Sequence, residues 1–221
     1  MKKILIGFYI TIFAFATAQA QVNKPVQIDS LVTVSLPVDF VKKDTLGQLV
    51  FTGNSTLGYI SVIKAPNPSN QTLKKEKDLN KVFKEYIKKL QSSAGNSSVM
   101  NDKDTIINNV EVRDFLLRTD NNDDQGVQVR RFRLLYTKAA TYTFQFVYPE
   151  ERADLAKKDA DQFFASIKTA PSLDGTDQYT TYGKFTGMHK ALKIALIAGG
   201  VLLIVIIILV VRSRKKKQIV G

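Results

Sequence analysis

The 221-residue chain contains no cysteine, no tryptophan and one histidine. Without cysteine there are no disulfides, no thiolate zinc or iron–sulfur sites, no thiol nucleophile and no acylated lipoprotein anchor. The one imidazole, His189, lies in the segment leading to a long apolar run near the C-terminus, far from any folded cleft. Ser-His-Asp and Cys-His catalysis therefore lack their base, and only oxygen-ligated ions remain open as metals. A glycine-rich phosphate loop is missing too: Gly53 and Gly58 flank a turn with neither a Lys-Ser/Thr pair nor a following helix. The chain has no internal repeat and no low-complexity tract.

Acidic residues are missing from both ends. All 20 lie between Asp29 and Asp177. Residues 21–183 hold 22 Lys and Arg, so the middle of the chain carries only +2 of the formal +12, and the other 10 basic residues sit in the terminal segments. That distribution reports topology rather than a nucleic-acid footprint, and no nucleic-acid partner is expected.

Residues 1–20 begin with Lys2 and Lys3, continue apolar from Ile4 to Phe15 and close on Ala18, Gln19 and Ala20. A basic start, a short apolar run and an A-x-A ending predict an export signal cut before Gln21. The run of 194–211 has no charged residue, and 201–211 is eleven consecutive Val, Leu and Ile. Eighteen helical residues reach about 27 Å, enough to cross hydrocarbon. A transmembrane helix is expected at 191–211, followed by a basic tail at 212–221. Arg212, Arg214, Lys215, Lys216 and Lys217 fix that tail on the cytoplasmic side. The expected location is the cytoplasmic membrane, single-pass, with the N-terminal domain outside. Ala195 and Gly199 form a small-xxx-small pair on which two such helices could dimerise.

Between these segments, 21–170 reads as one folded α+β domain and 171–190 as a linker. Strands are expected at 31–36, 48–52, 58–64, 104–107, 110–118, 126–137 and 141–148, from β-branched and aromatic residues in period-2 patterns. Their short connections make the later ones antiparallel. Leu79, Val82, Phe83, Tyr86, Ile87 and Leu90 recur at helical spacing after a cap at Thr72, with Gly95 closing the helix. A last helix opens at Pro149, with Leu155, Ala156, Ala160, Phe163, Phe164 and Ile167 as its apolar stripe. Periodicity then ceases at Thr169. The order of elements predicts an antiparallel sheet between helices, an α/β/α sandwich.

Three stretches carry a family likeness: Val-Ser-Leu-Pro-Val-Asp-Phe at 34–40, Ile-Ile-Asn-Asn-Val-Glu-Val at 106–112 and Phe-Phe-Ala-Ser-Ile-Lys at 163–168. In these the domain resembles the PsbP-like superfamily, which includes the extrinsic photosystem II protein and a Ran-binding nuclear import factor. The resemblance implies that fold and a non-enzymatic module acting through protein contacts. It transfers no site residue, because the matching positions are packing positions.

Two basic surfaces stand out. One is the helix bearing Lys74, Lys75, Lys77, Lys81, Lys84, Lys88 and Lys89, suited to anionic lipid or an acidic partner. The other is Arg130, Arg131 and Arg133 on a strand, where the pleat puts Arg131 and Arg133 on one face and opposing acids could absorb them. The acidic cluster at 120–126 departs from a calcium loop, with Gly126 one place late and Arg131 where a bidentate Glu is needed. Asn54, Asn70 and Asn96 head glycosylation sequons. The expected function is a membrane-tethered extracytoplasmic binding or adaptor domain that recognises an envelope protein and needs no cofactor. Its rivals are an enzyme using carboxylates or a Ser-Lys pair, and a structural subunit assembling through its membrane helix.

Overall fold

The computed structural model describes residues 23–68, 72–120 and 126–180. The export signal, the Asn70 sequon, most of the 120–126 cluster, His189 and the 191–211 span lie outside them. So do Ala195, Gly199, Arg212, Arg214 and Lys215 to Lys217. Among the described residues no helix is long and apolar enough to cross a membrane.

Among the described residues ten strands and two α-helices follow in the order β1 (Asn23–Gln27), β2 (Val32–Pro37), β3 (Val41–Thr45), β4 (Gln48–Ser55), β5 (Gly58–Pro66), α1 (Glu76–Ser93), β6 (Ser97–Ile107), β7 (Val110–Asp120), β8 (Val127–Tyr136), β9 (Ala140–Pro149), α2 (Ala153–Ala165) and β10 (Lys168–Thr169). They form a seven-stranded antiparallel sheet ordered β3-β4-β5-β9-β8-β7-β6 and a three-stranded one ordered β1-β2-β10.

Strand β9 lies at the centre of the large sheet and sets its packing. Ala140, Tyr142, Phe144, Phe146 and Tyr148 alternate along one face and are all buried. Against them pack Ala156, Ala160, Phe163 and Phe164 of α2 and Val32, Val34 and Leu36 of β2. The layer over this face is thus one helix plus a small sheet, where the sequence predicted helix alone. On the opposite face α1 buries Leu79, Phe83 and Ile87, and Tyr86 Oη lies 2.8 Å from Thr143 Oγ1 of β9. Phe115 and Phe132 stack beside each other on that face, centroids 4.8 Å apart.

Three expectations are corrected. Helix α1 starts at Glu76, not after Thr72, because Asp78 Oδ2 accepts the Lys75 N–H at 3.0 Å while Leu73 pairs in parallel with Tyr179. Leu155 does not join the stripe of α2; it is 65% exposed. Residues 171–180, read as the start of a linker, belong to the domain: Leu173, Gln178 and Tyr179 are buried. Gln178 explains why. Its amide donates to the Glu111 carbonyl at 2.7 Å and the Tyr136 carbonyl at 3.0 Å and accepts from Glu111 N–H at 2.8 Å, so it completes the ends of β7 and β8. A buried amide with every group satisfied looks polar in sequence, which is why periodicity misses it.

A second polar anchor joins the two sheets. Asp29 accepts from Tyr142 Oη at 2.6 Å, from Lys64 Nζ at 2.7 Å and from the N–H groups of Leu31 and Val32. Burial by itself raises the Asp29 pKa, but the hydrogen bonds from Lys64, Tyr142 and Leu31 outweigh it and hold the carboxyl below its ordinary value. A lowered folded-state pKa means that the stabilisation is complete above the unfolded value and is lost as pH falls through the folded one. Asp29→Asn should therefore cost about 1–3 kcal/mol at neutral pH, read by denaturant unfolding, and the gap to the parent should close below about pH 4. Gly58→Ala tests the sheet spacing, since a Cβ there collides with the Phe146 ring and the Val147 carbonyl. It should lower stability by about 1–3 kcal/mol in the same assay.

Candidate functional site

The free edge of the large sheet at β6, with β7 beside it, lies between two clefts, one beneath each helix. Its geometry begins with the Asn108-Asn109 turn, which sets Asp104 opposite Arg113 and Lys103 opposite Asp114. A bulge then shifts the register between Met100 and Lys103, with Asn101 at φ 53°. The result places Asp102 beside Asp104 on the α1 side, and both converge on Arg113. Arg113 Nε and Nη2 donate to Asp102, the latter at 2.7 Å, and Nη1 donates to Asp104 at 2.5 Å. The hydrogen bond to Asp102 is the main reason the guanidinium pKa is raised. The most closely paired carboxylates of this edge are thus occupied in neutralising one arginine.

The first cleft, of about 640 Å³, runs between this pair and α1. Its helical wall is Lys77, Lys81, Lys84 and Lys88, at i, i+4, i+7 and i+11. That spacing puts four ammonium groups in one row. Of the four, Lys81 forms an ion pair, with Glu85 at 3.9 Å, an exposed helical pair worth about 0.3–0.5 kcal/mol. Among the described residues no carboxylate reaches Lys77, Lys84 or Lys88 within ion-pairing distance. The floor adds Arg113 and Asp104, but Arg113 is already neutralised by Asp102 and Asp104, so the positive character of the cleft comes from the four lysines, set against Glu85.

The second cleft, of about 390 Å³, lies on the α2 side and is internally neutralised. Arg133 and Asp114 form a two-point pair with both distances 2.7 Å, and Arg133 Nη1 also reaches the Phe164 carbonyl at 3.0 Å. Arg131 donates to Asp161 at 2.5 Å and lies 4.6 Å above the Phe164 ring. The Arg131 hydrogen bond is the chief cause of the lowered Asp161 pKa, and burial raises that of Tyr148 at the cleft wall. The face shared by Arg131 and Arg133 is as the pleat predicts. Asp114 is the acid across the sheet, whereas Asp161 comes from the helix. Arg130 points the other way, its Nε buried without a hydrogen-bond partner among the described residues.

Of the two basic surfaces read from the sequence, one is therefore spent on folding and the other is open. Asp102 has no signal in the sequence, because its approach to Arg113 depends on the bulge. Asp104 could have been found, since a two-residue turn at 108–109 fixes its partner. Arg113→Ala should lower stability by about 1–3 kcal/mol. Asp102→Asn should cost more than Asp104→Asn, because Asp102 is the less exposed partner, 33% against 49%; chemical unfolding of the three variants checks the order.

No protein-family model matches the chain, and no curated protein matches it. Among solved structures the chain is similar to the solution structure of cyanobacterial PsbP from Synechocystis sp. PCC 6803. The TM-score is 0.51 at 16% identity, over 70% of this chain and 96% of that one. A crystal structure from Bacteroides thetaiotaomicron VPI-5482 aligns over 64% of this chain and 46% of its own, with TM-score 0.40 and 12% identity. The described domain thus has a PsbP-like fold, the architecture that the stretches at 34–40, 106–112 and 163–168 implied.

Proposed function

We propose that the protein is a non-catalytic binding domain, held outside the cytoplasmic membrane by a helix at 191–211, whose lysine cleft engages an acidic segment of an envelope protein. The observation that carries this reading is the contrast between the two clefts. In the α2 cleft the arginines are paired with acids, so that surface holds the fold together. In the α1 cleft three of four lysines in one row have no carboxylate partner among the described residues. Ammonium groups spaced along a concave wall favour an elongated anionic ligand, and Asp104 and Glu85 can accept the N–H groups of a peptide. The same two acids disfavour a densely anionic surface such as a bilayer or a nucleic acid. The pairing of Asp102 and Asp104 with Arg113 supports a non-catalytic reading, since neither is left to share a proton with the other.

The affinity of the full chain for a labelled decapeptide of alternating Glu and Ser tests the cleft. Changing Lys77, Lys81, Lys84 and Lys88 together to Gln should weaken binding at least about tenfold at low salt, and raising the salt to about 0.5 M should act the same way on the parent. An equal loss on changing Lys42, Lys43, Lys158 and Lys168 would mean that net charge alone attracts the peptide. Tethering is tested separately: the processed chain should stay with membranes through a carbonate wash.

A further inference from the structure

The turn joining β3 to β4 holds Leu46 and Gly47, at φ 52° and 75°. Both positions need the left-handed conformation in a two-residue hairpin turn, where Asn-Gly or Asp-Gly is the usual choice. Leucine is disfavoured there twice. Its backbone pays the steric cost of a side chain at positive φ, and its side chain is 97% exposed. The remaining exposed apolar residues do not combine both costs. Nothing within the described domain touches the Leu46 side chain enough to compensate them, which directs attention to a surface outside the domain.

The position of the tip says which surface. Register places the tip beside the end of β5 at Lys64–Pro66, which pairs with the start of β9 at Ala140–Tyr142, next to the end of β8 at Tyr136. The described chain also ends there: Lys138 N–H donates to the Asp177 carbonyl at 2.7 Å and Thr180 N–H to the Leu73 carbonyl at 2.8 Å. From β4 to β8 is three strand spacings, about 14 Å. The ten residues 181–190 span at most about 35 Å, so a chain entering the bilayer near 191 holds this end of the sheet within that distance of the lipid and the far end of the strands no nearer than the tether allows. Ile106, 70% exposed beside the Asn108-Asn109 turn, lies at the same end, and Lys42, Lys43 and Lys138 flank it.

We infer that the Leu46-Gly47 tip seats in the interface of the bilayer that anchors the chain, giving the domain a second, shallow membrane contact that fixes its orientation. The inference rests on the tethered reading above. Interfacial insertion of about 5–10 Å covers a leucine side chain while leaving Lys42 and Lys43 among the headgroups. With the domain already tethered, one apolar side chain suffices, because its local concentration at the surface is set by the tether rather than by free diffusion.

The chain has no cysteine, so a single probe can be placed cleanly. A bimane on Gln48→Cys, beside the tip, would be followed in the full chain reconstituted in phosphatidylglycerol and phosphatidylethanolamine vesicles containing nitroxide-labelled lipid. The expected result is strong quenching at this site and none at Thr56→Cys, which lies in the β4–β5 turn at the other end of the sheet. Leu46→Asn should abolish the quenching while the thermal midpoint in detergent holds or rises, showing that the fold survives. Absent quenching in a chain that resists carbonate, or quenching unchanged by Leu46→Asn, overturns the inference and leaves the tether standing. Release of the chain by carbonate overturns both.

Discussion

The structure depends on the row of aromatic side chains along one face of β9. Tyr142, Phe144 and Phe146 are fully buried in the middle strand of the large sheet, with Tyr148 close behind, and β2, β5, β8 and α2 all pack against them. A sheet face this apolar must be covered, and covering it calls for both α2 and the small sheet built on β2. The phenol of Tyr142, wholly buried in this row, is kept protonated by burial and by its bond to Asp29. That bond is also what ties the turn before β2 to the large sheet. Polar chemistry inside the domain is thus subordinate to packing: Asp29, Gln178 and the Arg133–Asp114 pair satisfy groups that the aromatic row forces under cover.

The same principle separates the two clefts. Sheet edges need protection against further pairing, and here both edges use charge. At β3 the strand is wholly exposed and carries Lys42 and Lys43. At β6 the bulge and the Asp102–Arg113–Asp104 cluster interrupt the edge. The acids needed at β6 and around Arg131 and Arg133 come from β6, β7 and α2, which leaves few to face the lysine row of α1. An open cationic wall is what remains when the acids have been used for folding.

Much of this was legible in the sequence. The strands with period-2 aromatic or β-branched patterns, the stripes of both helices apart from Leu155, the common face of Arg131 and Arg133 and the PsbP-like fold carry over to the structure. What escaped has a shared cause. Strands β1 and β3 are exposed edge strands with one face's worth of apolar residues or fewer, so they have no alternation to read. Residues 171–180 pack through Leu173, Tyr179 and one amide rather than through a periodic stripe. The join between Asp102 and Arg113 depends on a bulge that no local pattern announces. A leucine in a hairpin turn has no sequence signature, and the oddity of Leu46 is visible only in φ and exposure.

The most direct test of the account is site-specific photocrosslinking in native membranes, with the reactive group at Asn80 in the wall of the lysine cleft and, as a control, at Lys158 on α2. The account predicts one adduct from Asn80, absent from Lys158, whose attached peptide is rich in Asp and Glu and which disappears when the four cleft lysines are changed to Gln. Equal adducts from both positions, or an Asn80 adduct indifferent to those lysines, would contradict it.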